Sequence, residues 1–440
     1  MMTSSGPADP VDVGSVSGVE GAAIWLVTDV YPPGCGGSGW STHALARTLD
    51  RRGHSVEVIS IDPGASGVSQ RVFDGIRVVE VGVRSARRNP LRRLGGRDYA
   101  HHHIERYLGE RLRTDRHVRI LHAQHLHSGA PTVAAAARHG RASVQTLRDY
   151  WPVCLHGTSW WDGTECSGCT TANLVGCMNE YWRWPGPLAR LMVPWARRRL
   201  GSRRAGIEAA GRVITVSDWV RRRIEPEAPA ARYEVVPNIV DADETRSTAA
   251  GADDLEHRPE GTYLVAAGKL VATKGFDRML SALAAAGSSA PVILAGSGPE
   301  RARLRRQAGE LGVDVLFPGW VEHSRLLRLI AGAEAFLLPG AWNEPLSRLL
   351  LEALALGTPV IAWRSGGNPE NLTEGVDAFV IDDAADLRVA LAAIDEPSRR
   401  QQIGAAGERL ARQRFAPDAV YPRLVEIYSG ALEEAAGERR

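Results

Sequence analysis

Two glutamates separated by seven residues are the first candidates for a polar-ligand site. Glu344 precedes Pro345, and the sequence predicts that this proline lies in the first turn of a helix. Glu352 follows a little over two turns later, so both carboxylates should face the same side of a site. A buried carboxylate two turns into a helix is rare unless it has a partner, and a ribose offers two vicinal hydroxyls. We therefore expect Glu352 to bind such a hydroxyl pair, with Glu344 at the helix mouth.

The segment around these glutamates predicts the elements that would position them. Regularly spaced leucines over residues 346–356 give the helix an apolar face, and Gly357-Thr358-Pro359 ends it. A short apolar strand at 360–363 should follow, then a Gly366-Gly367 loop and a further helix that opens at Pro369. The alternative is an ordinary amphipathic helix that carries an exposed glutamate.

This arrangement resembles the donor site of retaining family-4 glycosyltransferases of the GT-B fold. The residues that carry the resemblance are Glu344-Pro345, Glu352-Ala353, Gly357-Thr358-Pro359-Val360, Gly366-Gly367 and Glu370. It covers about residues 22 to 432 and implies an α/β chain with two Rossmann-like, doubly wound parallel-sheet domains facing a central cleft. It implies that the first glutamate lies by the transferring sugar and the second binds the nucleotide ribose. Further donor contacts are expected from the neighbours Asn343, Leu346 and Ser347.

Two lysines match the cationic pair of the resembled family. Lys269 and Lys274 bracket the loop GKLVATKGF after the first predicted strand of the second half. The resemblance implies that they neutralise the charge that develops on the departing diphosphate. The alternative is two ordinary solvated lysines. A Gly-rich turn, with Gly296 and Gly298, follows the next strand and would let a base or phosphate approach the backbone.

The N-terminal region predicts a βαβ unit in which the N-terminus of the helix could bind an anion. An apolar strand at 22–28 precedes a glycine-rich loop, a helix from about 40 to 52 and a strand at 55–61. The glycine spacing is not G-x-G-x-x-G, and no acidic residue closes the second strand, so a dinucleotide enzyme is disfavoured. The resemblance implies that Gly36 and Gly37 let the backbone approach the donor phosphates.

One stretch departs from the resembled pattern. The family has a histidine that contacts the donor sugar where this chain has Arg148. Arginine cannot act as a base, but it can form bidentate contacts with hydroxyls, a carboxylate or a phosphate. We group Arg148 with Glu344, Lys274 and Lys269 as candidate catalytic residues. Three nearby histidines either line the acceptor pocket or have no role: His122, His125 and His127.

Four cysteines fall within 24 residues, immediately after the Arg148 stretch. Their spacing is C-x11-C-x2-C-x7-C, formed by Cys154, Cys166, Cys169 and Cys177, and Cys35 is separate. In a cytoplasmic protein such a cluster favours a metal over a disulfide. Structural zinc with four thiolate ligands would hold together a loop that has few aliphatic residues. Disulfides and free thiols are the alternatives.

Composition indicates a globular chain of two domains. The 440 residues are 44% hydrophobic and 24% charged, and the net charge of +2 implies no polyanion partner such as nucleic acid. No apolar run reaches the ~18–20 residues that span a bilayer. Residues 1–20 lack the features of a signal peptide, so we expect a disordered tail on a cytoplasmic enzyme.

We expect an acceptor-side domain over residues 21–238, to which a C-terminal helix at about 417–434 returns. Residues 239–261 should form a hinge and a polar, disordered linker, and residues 262–416 a nucleotide-sugar-binding domain. An Arg-rich segment at 84–97 should be an exposed loop. The segment 181–204 mixes tryptophans with arginines, which suits either a bilayer interface or a domain helix with a solvated basic face.

The sequence thus predicts a retaining glycosyltransferase that uses a nucleotide-activated sugar and needs no cofactor for catalysis. The acceptor would be a glycan, a lipid-linked sugar or a small molecule, with possible peripheral contact at the inner face of the membrane. A GT-B sugar-nucleotide epimerase is one alternative. A nucleotide-sugar-binding protein that has lost catalysis, with Arg148 as the lesion, is another.

Overall fold

Two large β-sheets organise the chain in the computed structural model, which describes residues 18–84, 100–161, 163–251, 259 and 261–437. In chain order the strands are β1 (Ala23–Thr28), β2 (Ser55–Asp62), β3 (Ser66–Phe73), β4 (Ile76–Val83), β5 (Val118–Ala123), β6 (Ala142–Leu147), β7 (Trp160–Trp161), β8 (Thr164–Glu165), β9 (Arg212–Thr215), β10 (Tyr233–Val235), β11 (Leu264–Ala267), β12 (Val292–Ala295), β13 (Val315–Gly319), β14 (Ala335–Leu338), β15 (Val360–Trp363) and β16 (Phe379–Ile381).

The first sheet has the order β10-β9-β6-β5-β1-β2-β4-β3, and its neighbours are parallel except for the antiparallel pair β3–β4. The second has the order β13-β12-β11-β14-β15-β16 and is parallel throughout. Strands β7 and β8 form a separate short hairpin. The second order reverses at β11 and β14, and ligands of doubly wound sheets bind at the carboxyl ends of the strands beside such a switch point.

Helices cover the sheets because apolar strands such as β1 (AIWLVT) are buried on both faces. They are α1 (Gly37–Arg51), α2 (His101–Thr114), α3 (Leu126–Arg138), α4 (Thr171–Trp182), α5 (Gly186–Leu191), α6 (Val193–Glu208), α7 (Asp218–Ile224), α8 (Ala242–Ala249), α9 (Phe276–Ala286), α10 (Arg301–Leu311), α11 (His323–Ala331), α12 (Arg348–Leu356), α13 (Ala384–Asp395), α14 (Pro397–Arg414) and α15 (Pro417–Gly437). In the described part of the chain, none of these helices combines the length and apolar character that a bilayer crossing requires.

The C-terminal helix α15 packs against the first sheet rather than the second. Its buried residues Leu424, Ile427 and Tyr428 share one apolar cluster with Ile24 and Ile120 of strands β1 and β5. A different cluster joins the two halves of the chain, since it contains Tyr150 as well as Leu346. The two sheets are therefore connected by packed side chains as well as by the chain itself.

Three local expectations were wrong. Residues 242–249 of the expected linker form helix α8, because the Asp241 side chain accepts hydrogen bonds from the Asp243 and Glu244 backbone N–H groups and caps the helix. Helix α12 begins at Arg348, so Pro345 lies before it rather than in its first turn. Only a single 3-10 turn, Pro369–Asn371, stands where a further helix was expected.

Strand β3 was not expected. Its side chains are mostly exposed at the sheet edge, so it lacks the apolar alternation of a half-buried strand. The turn Asp74-Gly75, with φ of 49° and 80°, joins it to β4 and was the available hairpin signal. The expectations for the tail at 1–17, for residues 85–97 of the Arg-rich loop, and for linker residues 252–258 and 260 lie outside the described residues.

Candidate active site

A cavity of about 600 Å³ lies between loops of the two sheets, and it collects most of the predicted site residues. Loops after β11, β12 and β14 line one side, and the loop before α1 lines the other. The predicted residues in its wall are Gly36, Gly37, Lys269, Lys274, Gly296, Gly298, Glu344, Ser347 and Glu352. The volume falls in the range of pockets that bind small-molecule ligands.

Glu352 is buried at the base of this cavity with one carboxylate oxygen engaged and the other free. Its Oε1 accepts from Arg348 Nε at 2.7 Å and from His323 Nε2 at 2.9 Å. Its Oε2 is buried and has no hydrogen-bond partner in the structure. Burial would raise the pKa of Glu352, but Arg348 and His323 hold this pKa below its usual value. An ionised acceptor therefore lines the cavity with an unused oxygen.

Glu344 and Lys274 form a direct ion pair at the cavity wall. The Lys274 ammonium donates to Glu344 Oε1 at 2.7 Å and also lies 5.6 Å from the centre of the Trp342 ring. Lys269 lines the same cavity. The sequence contains two lysines, and all its other Lys-or-Arg positions are arginines. Both lysines of a 440-residue chain thus lie in the wall of one cavity.

The glycines of the wall are required by the packing of the protein itself. A Cβ on Gly296, whose φ is 141°, would lie 1.9 Å from the carbonyl oxygen of Gly268. A Cβ on Gly298 would lie 2.2 Å from the carbonyl oxygen of Leu270. Gly37 allows α1 to approach α12, since its Cβ would lie 2.8 Å from the Cβ of Arg348. These glycines were predicted to let a ligand approach the backbone, and close packing within the protein is a second reason for glycine at Gly37, Gly296 and Gly298.

Four residues of the cavity wall were not predicted from the sequence: Trp40, Trp320, His323 and Arg348. Trp40 of α1 stacks on His323 of α11, with ring centres 4.0 Å apart, and this contact bridges the two halves beside Glu352. Trp320 lines the cavity with 62% of its surface exposed. Of these residues, only Arg348 could have been predicted from the sequence, because it lies four residues before Glu352 and such a pair shares one helix face.

Arg148 does not lie in the cavity wall, so its position does not support contact with a substrate there. Its guanidinium donates to the Gln124 carbonyl at 2.9 Å and to Asn238 Oδ1 at 3.0 Å. It borders a separate small cavity of about 20 Å³. Burial and the nearby Arg348 lower the pKa of Arg148 to about 9. The side chain connects the end of β5 to the segment that leads into α8.

Two further predicted donor contacts also lie outside the wall. Leu346 is buried in the apolar cluster shared by the two halves. The Asn343 carbonyl accepts a 2.5 Å hydrogen bond from the Tyr150 hydroxyl. Tyr150 thereby connects the stretch after β6 to the loop that carries Glu344.

The three predicted histidines lie at the end of β5 and just after it; His122 is buried, and His125 and His127 are partly buried. His122 contacts the Tyr428 hydroxyl at 2.8 Å and Thr146 Oγ1 at 2.7 Å. His125 lies beside Thr28, with 2.9 Å between its Nδ1 and the threonine hydroxyl. Burial, aided by the positive charge of Arg148, lowers the pKa of both His122 and His125 to about 3. His127 faces Asp29 at 3.9 Å. None of the three lines the large cavity.

The four clustered cysteines form no disulfide in the structure and lie near one another. Burial raises the pKa of the Cys177 thiol. The nearby thiols of Cys154, Cys169 and Cys166 raise this pKa further. Burial together with Cys154 and Cys166 raises the pKa of Cys169 to about 11. Cys35 is separate and lines the large cavity, and burial raises its pKa to about 12.

One other group has the side chains of a metal site. Among the described residues, ligand atoms of His43, Asp74 and Glu244 are the set of three that lie within 4.8 Å of one another. Arg47 pairs with Asp74 at 2.8 Å, and Arg51 pairs with Glu244 at 2.8 Å. Because each carboxylate already has a guanidinium, we assign no metal to this group.

Comparison with known families matches both halves of the chain. Residues 252–409 match the family described as "Glycosyl transferases group 1", and residues 35–244 match "Glycosyltransferase Family 4". Solved structures share the fold: Anabaena HepE in complex with UDP has a TM-score of 0.62 at 18% identity, covering 92% of this chain and 99% of that one. A sucrose-phosphate synthase from Thermosynechococcus elongatus has a TM-score of 0.63 at 17% identity, with coverages of 92% and 98%. The expected GT-B fold is confirmed.

Curated relatives extend this similarity to sequence. The chain is 32% identical over 257 residues to a GDP-mannose-dependent alpha-(1-6)-phosphatidylinositol monomannoside mannosyltransferase of Mycobacterium tuberculosis, covering 54% of this chain and 66% of that protein. A protein of the same description from Mycolicibacterium smegmatis is 32% identical over 265 residues, with coverages of 55% and 67%. The lipopolysaccharide core biosynthesis glycosyltransferase LpsD of Rhizobium meliloti is 28% identical over 200 residues, with coverages of 44% and 57%. The matches span between about half and two thirds of these relatives.

Proposed function

The chain belongs to the family-4 glycosyltransferases, and from this membership we propose that it transfers a hexose from a nucleoside diphosphate sugar to an acceptor hydroxyl. The observation that carries the proposal is the free, buried Oε2 of Glu352 in a cavity that also holds Lys269 and Lys274. A ribose hydroxyl would satisfy this oxygen, and the ammonium groups would face the diphosphate. The domain over 262–416 is thus proposed to bind the nucleotide sugar.

We propose that the transfer retains the anomeric configuration and needs no catalytic metal. The bond between the anomeric carbon and the diphosphate oxygen breaks, and a bond to the acceptor oxygen forms on the same face. The acceptor proton passes to the departing diphosphate. Lys274 offsets the charge that accumulates on the leaving group. The carboxylate of Glu344 is paired with Lys274 at 2.7 Å, so its proposed role is to orient this ammonium beside the transferring sugar.

The relatives suggest which substrates to try first. Two of them are described as GDP-mannose-dependent and act on a phosphatidylinositol mannoside, and a less similar relative is a 2-deoxystreptamine glucosyltransferase. We propose a mannosyl or glucosyl donor and a glycan, lipid-linked sugar or small-molecule acceptor.

Binding and donor turnover test the proposal together. The purified protein is mixed with GDP-mannose, UDP-glucose and related nucleotide sugars, and its thermal midpoint and the release of nucleoside diphosphate are measured. A donor present at a free concentration of 100 times its Kd should stabilise the folded protein by about 2.7 kcal/mol. If no nucleotide sugar raises the midpoint, the proposed function is wrong.

The same assay separates the two alternatives. An epimerase would convert its nucleotide sugar with no acceptor present, and a binding protein would be stabilised without releasing diphosphate under any condition. The intact pair Lys274–Glu344 and the ionised Glu352 favour a working transferase, because pure binding has no use for leaving-group chemistry.

We also propose that the surface around α5 contacts an anionic bilayer, which would explain a lipid-linked acceptor. Leu191 and Leu188 are 75% and 43% exposed there. In the same segment the rings of Trp182, Trp184 and Trp195 pack against one another, at centre distances of 4.9 to 6.1 Å. The segment 181–204 contains seven arginines and no Asp or Glu. Apolar side chains within a basic surface suit an interface with anionic lipid headgroups.

Vesicle co-sedimentation tests this contact. Wild-type protein should bind vesicles that contain phosphatidylserine and should not bind pure phosphatidylcholine. Leu191→Glu should weaken the binding about tenfold or more, because it places a charge in the apolar contact. The matched control is Val389→Glu, which alters a 69%-exposed residue of α13 and should bind like wild type. Equal binding by all three proteins would exclude this surface.

A further inference from the structure

The four clustered cysteines belong to segments that are already held against one another. The Cys169 thiol donates to the Val153 carbonyl at 3.4 Å, which brings the C-x2-C pair beside Cys154. The Cys166 N–H donates to the Ser159 carbonyl at 2.9 Å. Helix α4, which carries Cys177, packs so closely on the β7 strand that a Cβ on Gly176 would lie 2.2 Å from the Trp161 ring. All four cysteines therefore meet in one module.

Hydrogen-bond donors already point at two of the sulfurs. The Ser159 N–H donates to Cys154 Sγ at 3.3 Å, and Asn173 Nδ2 lies 3.9 Å from Cys166 Sγ. Such donors stabilise negative charge on sulfur and commonly surround metal-bound thiolates. The structure records no disulfide among these cysteines.

The module has little apolar core with which to hold this arrangement. Its buried cluster joins two residues of α4, Leu174 and Met178, to Leu155 and to residues of α5 and α6. The stretch between Cys154 and Cys169 contributes only Leu155 to that cluster. A loop of this composition needs another source of cohesion, and a bound metal supplies it in small domains.

We propose that Cys154, Cys166, Cys169 and Cys177 together bind one structural zinc ion as thiolates. The C-x2-C pair has the spacing of zinc ligands, and Gly168 provides its turn with a φ of 129°. A zinc–sulfur distance of about 2.3 Å places the four sulfurs about 3.8 Å apart. Among the described residues no three of these sulfurs lie within 4.8 Å of one another, so the proposal requires the thiols to move closer together when zinc binds.

Closure of the site changes two thiol contacts. Cys169 and Cys166 donate their protons to the Val153 and Gly168 carbonyls, and both protons leave when the thiolates bind zinc. The surrounding backbone is fixed on its other side by Arg203, which donates to the Trp151 and Cys154 carbonyls at 3.1 and 3.2 Å. Zinc binding therefore requires the cysteine side chains to move while Arg203 holds the backbone at Cys154. The proposal does not depend on transferase activity.

Elemental analysis of the full chain tests the proposal. Protein purified without a metal-affinity tag should contain about one zinc per chain. Cys166→Ser should lose it, and the matched control Cys35→Ser, which alters the cysteine outside the cluster, should keep it. A thiol reagent should find at most one reactive cysteine in the native protein and all five after denaturation in chelator.

A second variant keeps the test decisive if Cys166→Ser does not fold. Cys166→His replaces one zinc ligand with another, so this variant should retain the metal. If position 166 only needs a small thiol for packing, histidine would not replace it and the variant would be destabilised. Zinc retained by soluble Cys166→Ser and Cys169→Ser would overturn the proposal. Metal-free wild-type protein with two disulfides in its mass spectrum would overturn it as well, and so would iron in place of zinc.

Discussion

The guanidinium of Arg348 lies 2.7 Å from Glu352 Oε1, one turn away on the same helix. Glu352 is buried and Arg348 is partly buried, so water stabilises the carboxylate little and its charge depends on the guanidinium. Arg348 also donates to the Ile239 carbonyl, at the segment between the two sheets. The ionisation of Glu352, the residue proposed to bind the ribose, is therefore coupled to the position of the segment that joins the two halves of the chain.

Replacement of Glu352 by glutamine should weaken nucleotide-sugar binding. The amide is a poorer hydrogen-bond partner for a ribose than an ionised carboxylate, and the loss should be on the order of 1.5–3 kcal/mol. Calorimetric titration measures it, with the exposed Glu433→Gln of α15 as control. Unchanged affinity in Glu352→Gln would show that this residue does not bind the ribose.

Lys274→Ala should lower turnover more than donor affinity, because charge builds on the diphosphate chiefly as the bond breaks. We expect a loss of kcat on the order of 10²–10³-fold, similar to the removal of other charge-stabilising donors. Steady-state kinetics and direct donor titration separate the two effects. Full activity in EDTA is expected, and a requirement for magnesium in the chemical step would contradict the proposed mechanism.

Acid should destabilise the protein through its buried histidines. His122 and His125 have folded pKa values of about 3 against 6.5 in the unfolded chain, so the unfolded state binds more protons between these values. Their contribution to stability is complete above pH 6.5 and is lost as the pH falls. His122→Asn should reduce the slope of unfolding free energy against pH by ~1.4 kcal/mol per unit between pH 6 and 4. An unchanged slope in His122→Asn would show that burial of this histidine does not oppose its protonation.

Arg148→Lys should reduce stability and leave nucleotide-sugar affinity unchanged. A lysine cannot reproduce the fork that reaches both Gln124 and Asn238, and an unpaired buried acceptor costs about 1–3 kcal/mol. Denaturant unfolding and donor titration are compared in the same preparation. A variant that unfolds like wild type but binds the donor poorly would show that Arg148 contacts the sugar.

The residues that local patterns place at strand ends or on one short helix were the ones that could be predicted. Glu344, Glu352 and the two lysines stand at strand ends and on a short helix, so local pattern and a parallel sheet suffice to bring them together. The Trp40–His323 contact joins different halves of the chain, and no spacing rule reports it. Arg148 does not line the cavity, because its side chain reaches the Gln124 carbonyl and Asn238, and the sequence pattern does not report these acceptors.

Amine chemistry will be unusually selective in this protein. Lys269 and Lys274 are its two lysines, and both line the large cavity. Reagents that attach to amines, including common dyes, crosslinkers and immobilisation surfaces, can therefore react only there and at the chain's amino terminus. A bound nucleotide sugar should shield both ammonium groups, so peptide mapping of labelled lysine would report occupancy of the cavity without any assay of turnover. For the same reason, activity measured on protein coupled through its amines would underestimate that of the free enzyme.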